Sequence, residues 1–241
     1  MYNQKIRKLT ILLLLLTVFL LSGCNQLPGN SGTNEVQFAC KNLEQVVRAK
    51  INKLSGPLYQ SDVINIFELD AEKKEIFSLA GIEHLKNLRE LDLDDNKISD
   101  LSPLAGLTKL KEMDLENNNI SDLFPLANLI NLEELDFEKN NVKDISPLSK
   151  LTKLRELEFE YNQVSDISVL ANLTRLKELD FSNNEVSDIS ALVNNIGINA
   201  GDEVDMRYNY LDLSEGSKNM QDINTLISRG VKVKYIPQKN Y

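Results

Sequence analysis

The apolar residues of this 241-residue chain recur with a fixed cadence. Leu88, Leu91, Leu93, Ile98, Leu101, Leu104 and Leu107 are followed 22 positions later by Leu110, Met113, Leu115, Ile120, Leu123, Leu126 and Leu129, and the later copies keep step. Asn96, Asn118, Asn140, Asn162 and Asn184 mark the same phase. In each copy the Leu-x-Leu alternation predicts a short strand, with Leu91 and Leu93 directed inward and Glu90, Asp92 and Asp94 outward. The asparagine then turns the chain. Its amide both donates and accepts, so stacked copies satisfy backbone groups at the bend that burial would otherwise leave unpaired. Pro103, Pro125 and Pro147, beside Leu104, Leu126 and Leu148, predict a turn or 3₁₀ segment on the return side, because proline lacks the N–H that a central strand needs. Phe137, Phe159 and Phe181 take the inward strand position in three successive copies and are read as core.

A single 22-residue rung buries too little apolar surface to offset the cost of ordering it, so rungs must stack and both open ends must be covered. Residues 36–65 are read as a helical N-terminal cap, with short amphipathic helices over 42–51 and 61–66 around a Ser55-Gly56-Pro57 turn. Residues 66–209 hold about seven rungs, the last one irregular at 204–209. Residues 210–241 form a C-terminal cap, with a helix over 220–229, Gly230 as its C-cap and an edge strand over 231–235. The predicted fold class is α/β, a solenoid with parallel strands on a concave face and short turn or 3₁₀ segments on the convex face.

The repeat L-x-x-L-x-L-x-x-N-x-I/V-x-D-I/L-S-P-L resembles the signature of leucine-rich repeats. Ahead of the rungs lie Asn42-Leu43-Glu44, Ser61-Asp62-Val63 and Gly81-Ile82-Glu83-His84-Leu85; behind them lie Gly201-Asp202-Glu203-Val204-Asp205-Met206 and Arg229-Gly230-Val231-Lys232-Val233. With these flanks, residues 36–241 resemble the internalin-type repeat proteins of Gram-positive bacteria. The resemblance implies a cell-surface binding module, often engaged with another protein, with no catalytic residues to carry over. Two features depart from it. Cys40 stands where an acidic helix cap is expected, and nothing resembles a peptidoglycan-sorting tail or a separate immunoglobulin-like domain.

At the other end of the chain, Lys5, Arg7 and Lys8 precede an uncharged apolar run over 9–21, followed by Leu21-Ser22-Gly23-Cys24. The run falls short of the ~20 residues that span a bilayer, and reads as the core of a signal peptide over 1–23. Leu21-Ser22-Gly23-Cys24 resembles the lipobox of bacterial lipoproteins, which implies cleavage before Cys24 and acylation of that residue. The expected location is the outer face of the cell membrane, with Cys24 as lipid anchor. Residues 24–35 then form a flexible tether, of which the ten after Cys24 reach ~18 Å. An acylated Cys24 leaves Cys40 without an internal disulfide, and Cys40 is expected as a buried structural thiol.

Charge narrows the function. There are 36 acidic and 27 basic residues. Removing residues 1–23 takes away three basic ones, leaving 24 against 36 and a net charge of −12. Such a surface does not track nucleic acid. One His, two Cys and no Trp leave few parts for zinc sites, thiol redox pairs or Ser-His relays. No enzyme, cofactor or specific metal site is expected, and His84 is read as structural.

The acidity is concentrated on the outward strand positions. The first holds Glu68, Glu90, Glu112, Glu134, Glu156, Glu178 and Glu203; the second Asp70, Asp92, Asp114, Asp136, Glu158, Asp180 and Asp205; the third Glu72, Asp94, Glu116, Glu138, Glu160, Ser182 and Arg207. Arg89, Lys111, Arg155 and Lys177 are expected to flank and partly neutralise the first two columns. The third is expected to add charge where a small polar residue would serve. Tyr161 and Tyr208, one position further on, are candidate anchors. The functional reading is an acidic concave groove that attracts a protein with a basic surface. The alternatives are a solubilising face on a non-specific envelope spacer and, remotely, an enzyme. Ca²⁺ prefers six to eight converging oxygens and a flat ladder offers two or three, so divalent binding is expected to be weak at most. Asp100, Asp122, Asp144, Asp166 and Asp188 are assigned to side-chain-to-backbone bonds at the turn.

Overall fold

The computed structural model describes residues 34–239. The signal segment, Cys24 and the tether up to residue 33 lie outside the described residues. The rungs form one eight-stranded, all-parallel sheet, with strands β3 (Glu68–Asp70), β4 (Glu90–Asp92), β5 (Glu112–Asp114), β6 (Glu134–Asp136), β7 (Glu156–Glu158), β8 (Glu178–Asp180), β9 (Glu203–Asp205) and β10 (Lys232–Lys234) in chain order across it. The return side of five rungs carries 3₁₀ helices, at Ile82–His84, Ser102–Leu104, Phe124–Leu126, Ser146–Lys150 and Ser168–Asn172. Proline opens three of them. Strands pack ~4.8 Å apart and the opposite segments are bulkier, so the stack curves toward the sheet.

Inside, the leucines of successive rungs are fully buried, and Phe137, Phe159 and Phe181 stack with ring centroids 5.5 and 5.9 Å apart. The asparagines run down one side of this core. Asn96 Oδ1 accepts from the Ile76 N–H at 2.9 Å, while its Nδ2 donates to the carbonyls of Ala71 and Leu93 at 2.9 and 2.8 Å. Asn118, Asn140, Asn162 and Asn184 repeat this pattern. Asn209 extends it by one rung, bonding the Val186 N–H and the Phe181 and Met206 carbonyls. Its spacing from Asn184 is 25 residues, which hides it from a strict 22-residue count. The extra length accommodates α3 (Ser190–Asn194) and the fully buried Asn195, whose Nδ2 donates to Leu170 and Leu173 carbonyls. Asp100, Asp122, Asp144, Asp166 and Asp188 each accept the N–H two residues on at 2.8 Å, closing the turn into the return segment.

At the front, α1 (Lys41–Lys50) and the single turn α2 (Gln60–Val63) cover the first rung, with Leu43, Val47 and Val63 fully buried. The second helix starts earlier and ends sooner than its apolar pattern predicts. A small antiparallel pair, β1 (Glu35–Val36) with β2 (Leu58–Tyr59), also joins the cap and was not legible in the sequence. Gly81 has φ 109°, and a Cβ there would lie 2.5 Å from the Gln37 carbonyl oxygen, so only glycine admits the cap this close. His84 Nδ1 lies 3.3 Å from Gln60 Oε1, and Gln60 Nε2 donates to the His84 carbonyl, tying cap to rung. Cys40 is fully buried, as expected, yet it is disulfide-bonded, which corrects the expectation of a thiol without a disulfide.

At the back, α4 (Lys218–Ser228) begins two residues before the expected start, because Ser217 Oγ caps it by accepting the Met220 N–H. Arg229 donates to the carbonyls of Val193 and Asn195, fastening α4 to α3. Among the described residues no helix is long and apolar enough to cross a membrane.

Candidate functional site

The three strand positions place the acidic side chains in register. Glu68, Glu90, Glu112, Glu134, Glu156, Glu178 and Glu203 are direct neighbours across the sheet, and so are Asp70, Asp92, Asp114, Asp136, Glu158, Asp180 and Asp205. The ladder continues past the strands through the N–H groups of Leu93, Leu115, Phe137 and Phe159, which carries Asp94, Glu116, Glu138 and Glu160 onto the same face. Each following residue, from Asp95 through Asn117, Lys139, Tyr161 and Asn183 to Tyr208, has φ between 53° and 58°. Asn and Asp adopt this left-handed conformation at little cost, whereas Lys139, Tyr161 and Tyr208 hold it under strain of order 1 kcal/mol. Tyr161 and Tyr208 are 53% and 41% exposed.

The columns differ in charge state. Glu90, Glu112, Glu134 and Glu178 in the first are exposed, Glu156 is half-buried, and no ion pair is made by any of the five among the described residues. Burial, followed by the charges of neighbouring carboxylates, moves Glu112, Glu134 and Glu156 above their usual range. In the second column the same causes raise Asp92 and Asp180, and push Asp114 to about 6, Asp136 to about 7 and Glu158 to about 7. Asp205, expected to face outward, is instead buried. Arg207 brackets it from Nε at 2.9 and 3.0 Å and from Nη2 at 2.6 Å, and closes the end of the column.

The third column reverses its expectation. Burial pushes Asp94 to about 7, and Glu160 to about 9 with help from the Asp180, Glu138 and Glu158 charges. Glu160 Oε2 is buried without a hydrogen-bond partner. Glu116 and Glu138 share one ammonium, with Lys139 Nζ at 2.8 and 2.6 Å. The third column thus contributes less free charge at neutral pH than its five acidic residues suggest, because Asp94 and Glu160 lose solvent and Glu116 and Glu138 are paired with Lys139. Of the expected neutralising residues, Lys111 and Arg155 partly offset the rise of Glu112 and Glu134 through their charge, but none forms an ion pair with a first-column glutamate among the described residues. Lys111 pairs with Glu133, Lys177 with Asp202, and Arg89 lies over the Phe67 ring. The cations that meet the columns are Lys50, on Glu68; Lys73, on Glu72; Lys139; Arg207; and Lys234, on Glu203. Lys139 was legible, since it occupies the same repeat position as Tyr161.

Carboxylate oxygens of Glu116, Asp136 and Glu138 lie within 4.8 Å of one another. Lys139 already supplies the positive charge there, and three oxygens fall short of a calcium shell.

The family described as Leucine Rich repeats (2 copies) matches residues 86–128, 108–150, 130–172 and 152–194. No curated protein matches the sequence. Among solved structures, the internalin inlF of Listeria monocytogenes is 30% identical, with a TM-score of 0.73 over 82% of this chain and 56% of its own. The internalin C2 (inlC2) of the same organism is 30% identical, with a TM-score of 0.64 over 86% of this chain and 100% of its own. The chain therefore spans little more than half of the first and all of the second. Sharing repeat, sheet and sequence with these two proteins, the chain belongs to the internalin-type leucine-rich repeat proteins.

Proposed function

We propose that this protein-interaction module is held on the outer face of the cell membrane and receives the basic surface of a protein partner on its acidic concave face. One observation carries the reading: five first-column glutamates, Glu90 to Glu178, stand in register without a cation of their own. At ~4.8 Å each neighbouring pair repels by ~0.9 kcal/mol at a water-like dielectric, less with salt. A cationic partner relieves that repulsion, and the extended field speeds its arrival and selects it.

The test is binding of a dodecalysine peptide by titration calorimetry at low and moderate salt. Replacing Glu112, Glu134 and Glu156 by Gln lowers affinity about tenfold, ~1.4 kcal/mol, and flattens the salt dependence. Unchanged affinity favours the rival reading, an envelope spacer whose face only solubilises. An enzyme has no support in the contacts of His84, which serve the cap.

The anchor rests on the lipobox-like Leu21-Ser22-Gly23-Cys24. Cys24→Ser is expected to move the protein from the membrane to the soluble fraction, with acyl chains found by mass spectrometry on the unsubstituted N-terminus. Cys24 is also the only other cysteine of the chain besides Cys40. One sulfur cannot carry both a lipid thioether and a disulfide, so the anchor reading applies to a mature protein in which Cys24 is acylated and does not engage the Cys40 sulfur. An intact mass that shows Cys24 disulfide-bonded to Cys40 overturns the anchor and leaves the concave-face reading untouched.

A further inference from the structure

On the four outward positions of the five central rungs, β4 to β8, Lys139 is the only cation. Its ammonium leans out of its own rung to reach Glu116 at 2.8 Å while holding Glu138 at 2.6 Å, and it lies 5.9 Å from the Tyr161 ring centroid. These hydrogen bonds raise the Lys139 ammonium above its usual range. Two carboxylates and an aromatic face are the groups that recognise an alkylammonium or a guanidinium. One rung on, Glu160 repeats the position of Glu138 but has no cation, and its buried Oε2 has no hydrogen-bond partner. The trough therefore holds one cation of its own, on Glu116 and Glu138.

We propose that Lys139 is the specificity-determining residue of the concave face: a resident ammonium that a lysine or arginine of the partner displaces, taking over Glu116, Glu138 and the face of Tyr161. The proposal rests on the reading of the concave face given above. Its physical basis is a difference between partners. The Glu138 side chain is only 17% exposed and that of Glu116 32%, so removing their ammonium without replacing it strands two poorly solvated carboxylates. A neutral or acidic surface meets that cost in full. A partner that brings its own cation exchanges one ion pair for another, and gains the release of a flexible, 46% exposed lysine to solvent. Arginine has a further advantage over lysine, because its fork can bond both carboxylates while stacking on the ring.

Lys139→Met removes the internal competitor. Removing any lysine also makes the protein more attractive to a polycation at long range, and Lys153→Met measures that effect. Lys153 lies outside the four outward positions, its ammonium bonded to Asn131 Oδ1 at 2.7 Å in an exposed pair. With dodecalysine as probe, Lys139→Met is expected to bind about tenfold more tightly than the unsubstituted protein, Lys153→Met within about twofold of it, and Lys139→Arg at its level. Lys139→Gln serves as a second neutral variant should the methionine destabilise the fold, and thermal unfolding of each variant confirms the comparison. Equal affinity of the Lys139 and Lys153 variants overturns the proposal, as does weaker binding on loss of Lys139, which would make the lysine a direct contact for the partner. Absence of dodecalysine binding by the unsubstituted protein and by every variant would instead sink the underlying reading of the concave face.

Discussion

Asn140→Ala is expected to lower the unfolding free energy by about 3–5 kcal/mol, the largest effect of any polar substitution on the stack. Asn140 Oδ1 accepts the Ile120 N–H at 2.9 Å, and its Nδ2 donates to the carbonyls of Leu115 at 2.9 Å and of Phe137 and Glu138 at 3.1 Å. Alanine leaves one N–H and two buried carbonyls without partners. Each costs ~1–3 kcal/mol, reduced where the bend relaxes. At ~2–4 °C per kcal/mol for a domain of this size, the thermal midpoint falls by about 6–20 °C. Asn140→Asp is the sharper companion, because it keeps the acceptor, loses both donors and turns a carboxylate toward carbonyl oxygens. A loss below ~1 kcal/mol in urea unfolding of both variants would show that the asparagines do not hold the bend.

Glu160→Gln acts in the opposite direction. Glu160 titrates at about 9 in the folded chain, against about 4.5 for a freely solvated glutamate. Between those values the unfolded chain is ionised while the folded chain keeps its proton, so the folded state binds more protons and stability falls as pH rises. The penalty is absent below about pH 4.5 and complete above about pH 9. The full displacement corresponds to ~6 kcal/mol at 1.36 kcal/mol per unit. Because Glu160 keeps part of its solvent and Asp180 and Glu158 readjust their own protons when one charge leaves, the measured gain from glutamine is expected to be ~2–4 kcal/mol at pH 9 and under ~1 kcal/mol at pH 5. Asp94, Asp136 and Glu158, raised to about 7, add a decline of the same sign between pH 5 and 8. Urea unfolding at pH 5, 7 and 9 measures both effects. An equal gain at pH 5 and pH 9 would mean that Glu160 carries no proton-linked penalty.

The same linkage bears on binding. A cation arriving on the concave face lowers the raised carboxylates toward their ordinary values, so association releases protons and strengthens with pH between about 6 and 8.

Most of the architecture was legible in the sequence because a repeat makes each local rule count many times. The Leu-x-Leu alternation placed Leu91 and Met113 inward, the period aligned Glu90 with Glu112, and the prolines marked the return side. Elements without repetition were harder to read. The β1–β2 pair, the early start of α4 and the 25-residue step to Asn209 depend on contacts made once each. Spacing along the chain determines which residues share a face. What it leaves open is how much solvent each one keeps and which counter-charge reaches it. Glu134 and Glu160 are the same residue type on the same face, yet one stands exposed on the sheet while the other is half-buried among the charges of three carboxylates and is pushed up to about 9. Desolvation and Coulomb energy depend on distances set only when the rungs stack, and so the charge pattern of the trough, and the place of Lys139 within it, were decided by the tertiary structure.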